Sequence, residues 1–337
     1  MNIHPKVHKM KDNISKATSS TTLNPLRKTI IIGEGEHRYE CIHDWGELPS
    51  SISYGNTHGV VEDSQGRIYI KHTVHPTSQS RNAIVVFDEH GKFVTSWGEE
   101  FCGGAHGMHL SKEGADEFLY LCDTARHKLV KTTLDGETVW ERGCPDDTGH
   151  YKSSNEYVPT NVATAQDGTV FVADGYGRDC IHAYDSNGNY KFSFGGTGSR
   201  PGLMSCPHGL IVDNRGEQPL LAVADRGNRR IQYFTLVGEH VGFVKDELRA
   251  PCHFHIRGEE LLIPDLESRV TIFNKDNGLI LHLGDGGHYE GVRDKDRSAF
   301  TPGKFVAPHS AIFDHEGNIF VVEWVEVGRV TKLKRMN

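Results

Sequence analysis

Three histidines, His106, His208 and His309, open three similar stretches: Ala105-His106-Gly107-Met108, Pro207-His208-Gly209-Leu210 and Pro308-His309-Ser310-Ala311. Three imidazoles brought to one point with a fourth position open make a catalytic divalent-metal site, and nitrogen donors put zinc first. Such an ion polarises a carbonyl, or lowers the pKa of a bound water or substrate hydroxyl toward neutrality. That permits lyase and hydrolase chemistry alike. The chain has 21 histidines, and any one of them is more often a surface or hydrogen-bonded residue than a ligand. What singles out these three is that they occupy equivalent places. His58, in Thr57-His58-Gly59-Val60, and His253, in Pro251-Cys252-His253-Phe254, lie at or next to the same place in two further stretches. They are candidates for the pocket, for partners behind the ligands, or for a different ion. His255 alternates with His253 and so shares its face.

Six repeats must position these residues. The sixth stretch, Pro159-Thr160-Asn161-Val162, carries no histidine. Each stretch leads into an apolar strand, then an Asp/Asn/Gly turn, then a second strand ending at His72, Asp123, Asp174, Asp225, Asp265 or Glu323. The first four markers, at 72, 123, 174 and 225, are 51 residues apart. A four-stranded propeller blade takes about 40–50 residues. Runs such as 169–174, 220–225 and 318–323 are β-branched or aromatic and bounded by turns. A third strand follows in five repeats, for example 180–184 and 230–234. A hairpin glycine comes next, as at Gly91 or Gly136, where a positive φ costs least. The expected fold is therefore all-β, a six-bladed β-propeller of the NHL-repeat type over residues 28–337. Alternate blades of such a ring are related by about 120°, so blades two, four and six aim His106, His208 and His309 at the axis. His72, at a marker otherwise acidic, is a further candidate for the channel wall.

The last repeat runs out near Leu333, whereas Tyr39–Gly46 has the signature of a fourth strand without a blade of its own. This segment is expected to complete blade six, which closes the ring and removes an open edge. Residues 1–27 are polar and read as a disordered or loosely docked tail. The long connections 145–157 and 286–305 are expected to cover the channel mouth.

Composition narrows the function. The net charge of -8 with mixed signs offers no basic footprint for nucleic acid. Seven scattered cysteines form neither a disulfide framework nor a zinc-finger pattern, and a reducing, cytoplasmic setting is expected. The N-terminus lacks the apolar core of a secretory signal, and no apolar run approaches a bilayer span. No membrane association is expected.

The stretch from Tyr157 to Phe234 is the most specific. It contains the blocks PTxVA (from Pro159), DGYxxxxI (from Asp174), PHxL (from Pro207) and ADRxNxRIQ (from Ala224). These resemble the NHL-repeat propeller of the peptidyl-α-hydroxyglycine α-amidating lyases, with weaker similarity over Gly55 to Leu333. The resemblance implies a Zn²⁺ on the propeller axis between His106, His208 and His309, and an active-site tyrosine at Tyr176. It implies cleavage of the N–C bond of a carbinolamide, giving an amide and glyoxylate from a peptide-like or small-molecule substrate. The sequence also departs from that family. The catalytic arginine falls on Thr73, and a methionine before the last zinc histidine on Ala307. A calcium-binding aspartate after that histidine falls on Ser310. The family's paired cysteines are absent, with Gly177 following Tyr176. Lys71, His72, Arg178 and Arg226 are candidates for a replacement cation. Two other readings stand beside this one. A different metal-dependent hydrolase, isomerase or lyase of a sugar or hydroxy acid would use the same scaffold. A non-enzymatic propeller binding a protein partner would not need histidines on three alternate blades.

Overall fold

The computed structural model describes residues 29–145, 149–288 and 290–336. The expected tail, 1–27, lies outside the described residues. The rest forms six antiparallel sheets, five of four strands and one of five. The inner strands are Thr57–Glu62, Ala105–Glu113, Asn161–Thr164, Pro207–Asp213, His255–Arg257 and Pro308–Phe313. In five blades the order follows the chain outward, and in the sixth the three inner strands do so before two N-terminal strands complete it, as in a six-bladed propeller. The closure read from the sequence is present. Tyr39–His43 pairs antiparallel with Arg329–Arg335, with Cys41 opposite Leu333. A two-residue strand, Ile31–Ile32, adds an outer edge that the sequence reading did not foresee.

The core lies between blades, because each sheet is apolar on both faces. Its six main clusters occupy the six blade interfaces. Ile263, Phe273 and Phe254 of blade five, for example, pack with Ala222 and Ile231 of blade four. Phe87 and Val60 of blade one meet Phe320 and Val322 of blade six, with Trp45 edge-on to Phe87 and Phe320.

Four of the acidic markers hold the segments that lead into the inner strands, whereas Asp123 accepts from the N–H groups of Ala125 and Arg126 just after it. All five are fully buried. Asp225 accepts from the backbone N–H of Ser205, Asp174 from Val158, Asp265 from Arg249 and Ala250, and Glu323 from Val306. In each case the donor lies a few residues before the inner strand of the same blade. Arg230 completes the pocket of Asp225 at 2.6 Å, and Arg329 that of Glu323.

This arrangement corrects the reading of His72. Its side chain does not line the axial site. In blade one it takes the carboxylate's place, and its Nδ1 accepts from the N–H of Val74 at 3.1 Å and of Gly55 at 3.4 Å. Burial pushes its pKa down to about 3, so the ring is neutral and can accept.

The two long connections differ. Tyr151 in the first bonds Asp174 and His182 of blade three, so its described part packs on that blade and not over the axis. The second spans blades five, six and one. Val292 and Phe300 pack among Cys252, Leu266, Ala307 and Val325, and Arg293 stacks on Trp324. No helix among the described residues is long and apolar enough to cross a membrane.

Candidate metal centre on the propeller axis

The backbone at the start of the inner strands aims the histidines. Register shifts interrupt the ladder between Thr57 and Gly59, Ala105 and Met108, Pro207 and Leu210, and Pro308 and Ser310. His58, His106, His208 and His309 each sit within one of these irregularities. A β-bulge re-aims a side chain out of the two-residue alternation, and here it turns four imidazoles inward. Small residues follow each histidine because the next blade is close. A Cβ on Gly209 would stand 2.5 Å from the Cys252 carbonyl oxygen and 2.7 Å from the His253 Cα. Gly209→Ala should therefore cost about 1–3 kcal/mol by overpacking and displace His208. Urea denaturation would read the first effect and bound metal the second.

Four imidazoles surround the axis. The ring centroids of His106, His208 and His309 are 4.7–4.9 Å apart, and His58 lies 4.4 Å from His309 and 4.7 Å from His106. Nitrogens of His58, His106 and His309 fall within 4.8 Å of one another. The hydrogen bonds distinguish the four. His106 Nδ1 lies 2.7 Å from the Thr160 carbonyl, His208 Nδ1 2.8 Å from that of Cys252, and His309 Nδ1 2.8 Å from that of His58. A carbonyl only accepts, so each Nδ1 carries the proton and each Nε2 presents a lone pair. This is the support that orients metal-binding histidines. His58 lacks such a carbonyl, and its Nδ1–H donates to His309 Nε2 at 3.2 Å.

Electrostatics keeps these rings neutral. Burial holds His106 at about 3 and pushes His58, His208 and His309 well below the ordinary histidine value, and neighbouring cationic or imidazole groups add to the effect. Neutral imidazoles with converging Nε2 lone pairs fit a divalent cation.

Tyr176 and Arg226 stand on one side of the cluster. The Tyr176 hydroxyl is 3.2 Å from His106 Nε2, 3.1 Å from His208 Nε2 and 3.3 Å from an Arg226 nitrogen. The ring is 45% exposed at the channel mouth while its hydroxyl points into the cluster. Burial raises the phenol pKa, and Arg226 opposes that rise. Arg226 also lies over the Tyr176 ring, 5.6 Å from its centroid, and meets the thiols of Cys206, at 3.1 Å, and Cys252, at 3.6 Å. Among the described residues no carboxylate pairs with it, so a cation faces the mouth uncommitted.

The other sequence candidates lie elsewhere. Arg178 is paired with Glu156 at 2.6 Å on the rim of blade three. His253 belongs to a lower level of the channel. Lys71 is fully buried and donates to the carbonyls of Gly107 and Cys122, tying blade one to blade two. Thr73 bonds through its N–H to Asn56 and does not enter the site. Ser310 is buried and its hydroxyl has no partner.

No family model matches the chain. Its curated relatives include peptidyl-glycine alpha-amidating monooxygenase B of Xenopus laevis, 29% identical over 243 residues, which cover 68% of this chain and 24% of that protein. Peptidyl-alpha-hydroxyglycine alpha-amidating lyase 1 of Drosophila melanogaster is 27% identical over 260 residues, 69% of this chain and 45% of that protein. Human NHL repeat-containing protein 3 is 25% identical over 242 residues, 68% of this chain and 67% of that protein. The chain thus spans less than half the length of these two amidating relatives. Among solved structures, virginiamycin B lyase from Staphylococcus aureus superposes with a TM-score of 0.56 at 13% identity, over 88% of this chain and 100% of that one. A streptogramin B lyase gives 0.59 at 12% identity, over 90% and 99%. At such identities the superpositions establish the propeller fold alone.

Proposed function

We propose that the protein is a zinc-dependent carbon–nitrogen lyase acting at the axial cluster on a carbinolamide-type substrate with a carboxylate. The observation that carries this reading is the gathering of four neutral imidazoles, three of them with Nδ1 on a backbone carbonyl, beside a phenol and a guanidinium that no carboxylate among the described residues pairs with. His106, His208 and His309 would hold Zn²⁺, since each has its Nδ1–H fixed by a backbone carbonyl. When bound, the ion supplies a Lewis acid beside the substrate hydroxyl.

The chain's own groups divide the remaining work. Arg226 binds the substrate carboxylate and stands in for the arginine missing at Thr73. As the phenolate, Tyr176 Oη takes the proton of the α-hydroxyl, whose oxygen becomes a carbonyl as the N–C bond breaks. The same proton then passes to the departing amide nitrogen, so an amide and an α-oxo acid result with no net proton change. Nearby positive charge favours the phenolate, which is why the base and the cation belong together.

Metal content and turnover test this reading together. Purified protein should carry about one zinc per chain, the occupancy of a single catalytic site, and cleave α-hydroxyhippurate. His208→Ala should lose both properties. His58→Ala should keep the metal, because His58 lacks the carbonyl support of the other three. The absence of zinc from the unaltered protein after zinc loading would overturn the proposal.

A further inference from the structure

Below the axial cluster the channel widens into a chamber of about 750 Å³, which the lyase reading does not use. Its walls are the later parts of the inner strands of blades one, two, four, five and six. It opens on the face opposite Tyr176, where those strands turn at Asn214, Gly258 and His315. Val61, Leu110, Leu210, Val212, Ile256 and Ile312 give about half of its lining an apolar character, and polar groups supply the rest.

Three imidazoles line its inner part: His109, His253 and His255. Their hydrogen bonds settle which nitrogens are free. The Thr164 hydroxyl donates to Ser111 at 3.1 Å, so it accepts the 2.9 Å bond from His109 Nε2–H, leaving His109 Nδ1 as an acceptor. The Phe313 N–H donates to His255 Nδ1 at 3.2 Å, leaving Nε2–H of His255 as a donor. Neither free nitrogen has a partner among the described residues. His253 is 8% exposed, and its buried Nδ1 has no hydrogen-bond partner. Buried polar groups are normally paired, so the orphaned Nδ1 of His253, beside two further imidazoles that each offer a free nitrogen to the chamber, points to an occupant.

The chemistry of that occupant follows from what the chamber offers. Burial holds the three rings at about 3 to 4, so the interior carries no full charge. Charged side chains stand toward the outer rim, where Glu62 is tied to His315 at 2.6 Å, Asp314 is held by Asn318 at 2.7 Å, and Arg257 lies at the turn, two residues beyond His255. A cavity of this size with few convergent polar groups is ordinary for a small-molecule site.

We infer that the lower chamber is a second ligand site for an uncharged molecule with an apolar body and an amide-like edge. The amide oxygen would accept from His255 Nε2–H and the amide N–H would donate to His109 Nδ1. This site stands apart from the metal centre and does not rest on the lyase reading.

Benzamide and benzoate have the same shape and differ in charge and in the N–H donor, so they separate an amide site from an anion site. Each would be titrated into the full-length protein by ligand-observed NMR, with and without zinc. Benzamide should saturate one site per chain in both states, and benzoate should bind at least about tenfold more weakly, as loss of one buried hydrogen bond to a charged mismatch implies. His255→Phe and His109→Leu should each weaken benzamide by about tenfold and leave zinc content unchanged. Val212→Phe narrows the chamber without touching an imidazole and should weaken it as well, which keeps the test open if a histidine variant fails to fold. Benzoate binding as tightly as benzamide, no saturable benzamide binding, or loss of zinc in folded His109→Leu would each overturn the inference.

Discussion

Tyr176→Phe is expected to lower kcat for α-hydroxyhippurate by roughly 10²–10⁴-fold, the usual contribution of a positioned general base, while zinc content stays at that of the unaltered protein. The phenylalanine ring keeps the packing at the channel mouth and removes only the oxygen lying 3.1–3.3 Å from His208, His106 and Arg226. Arg226→Met should behave differently. It removes the carboxylate's counter-charge, so KM for an acidic substrate should rise, and kcat should fall because the phenol loses its nearest cation. Arg226→Lys should recover only part of this, since an ammonium cannot make the bidentate contact of a guanidinium. Steady-state kinetics on the three variants, each checked for zinc, would measure these effects. If Tyr176→Phe turned over at the rate of the unaltered protein, the base would have to be another group. If Arg226→Met changed neither parameter, the uncommitted guanidinium would be a packing feature.

The ring was legible because propeller chemistry repeats. The 51-residue spacing of His72, Asp123, Asp174 and Asp225 reflects identical blades, and the surplus strand at Tyr39 matched the deficit after Leu333. The convergence of His106, His208 and His309 followed from ring symmetry alone. Other features could not be read because they depend on contacts between blades. The bulge that turns each histidine inward leaves no residue-type signature beyond the small residue after it, at Gly59, Gly107, Gly209 and Ser310. His72 was misread because a histidine at an acidic marker suggests a channel group. In the structure His72 accepts backbone N–H groups as the carboxylates do elsewhere. The chamber around His109 and His255 was hidden because His109 is only three residues from His106, and no local pattern separates the two levels of one strand. Arg226 and Arg178 looked alike as candidate cations. Only the structure shows that Glu156 neutralises Arg178 and that Arg226 faces Tyr176.

The same imidazoles set the response to acid. His43, His72, His109, His182, His253 and His255 lie outside the proposed metal ligands, and burial pushes them to about 4, 3, 4, 3, 3 and 4. In the unfolded chain each titrates near 6.5. Between the two values the unfolded chain binds a proton that the native protein does not, so stability is full above about 6.5 and is lost as the pH falls. Asp174 works in the opposite direction. Burial raises it to about 6, which favours the folded protein on acidification, and it raises Asp265 and Glu62 in the same direction, but these three carboxyl groups are fewer than the six imidazoles. Each neutral histidine contributes about 1.4 kcal/mol per pH unit once the unfolded chain is fully protonated. Six of them approach about 8 kcal/mol per unit, against a total stability of about 5–15 kcal/mol for an ordinary domain. Cooperative unfolding is therefore expected roughly one to two units below the histidine pKa, near pH 5. Urea midpoints measured from pH 8 to pH 5 should fall steeply below about 6.5. His72→Asn, which keeps an acceptor at that place, should reduce the slope by the share of one histidine. A midpoint that stayed flat down to pH 5 would mean that these rings are hydrated and protonated in the native protein.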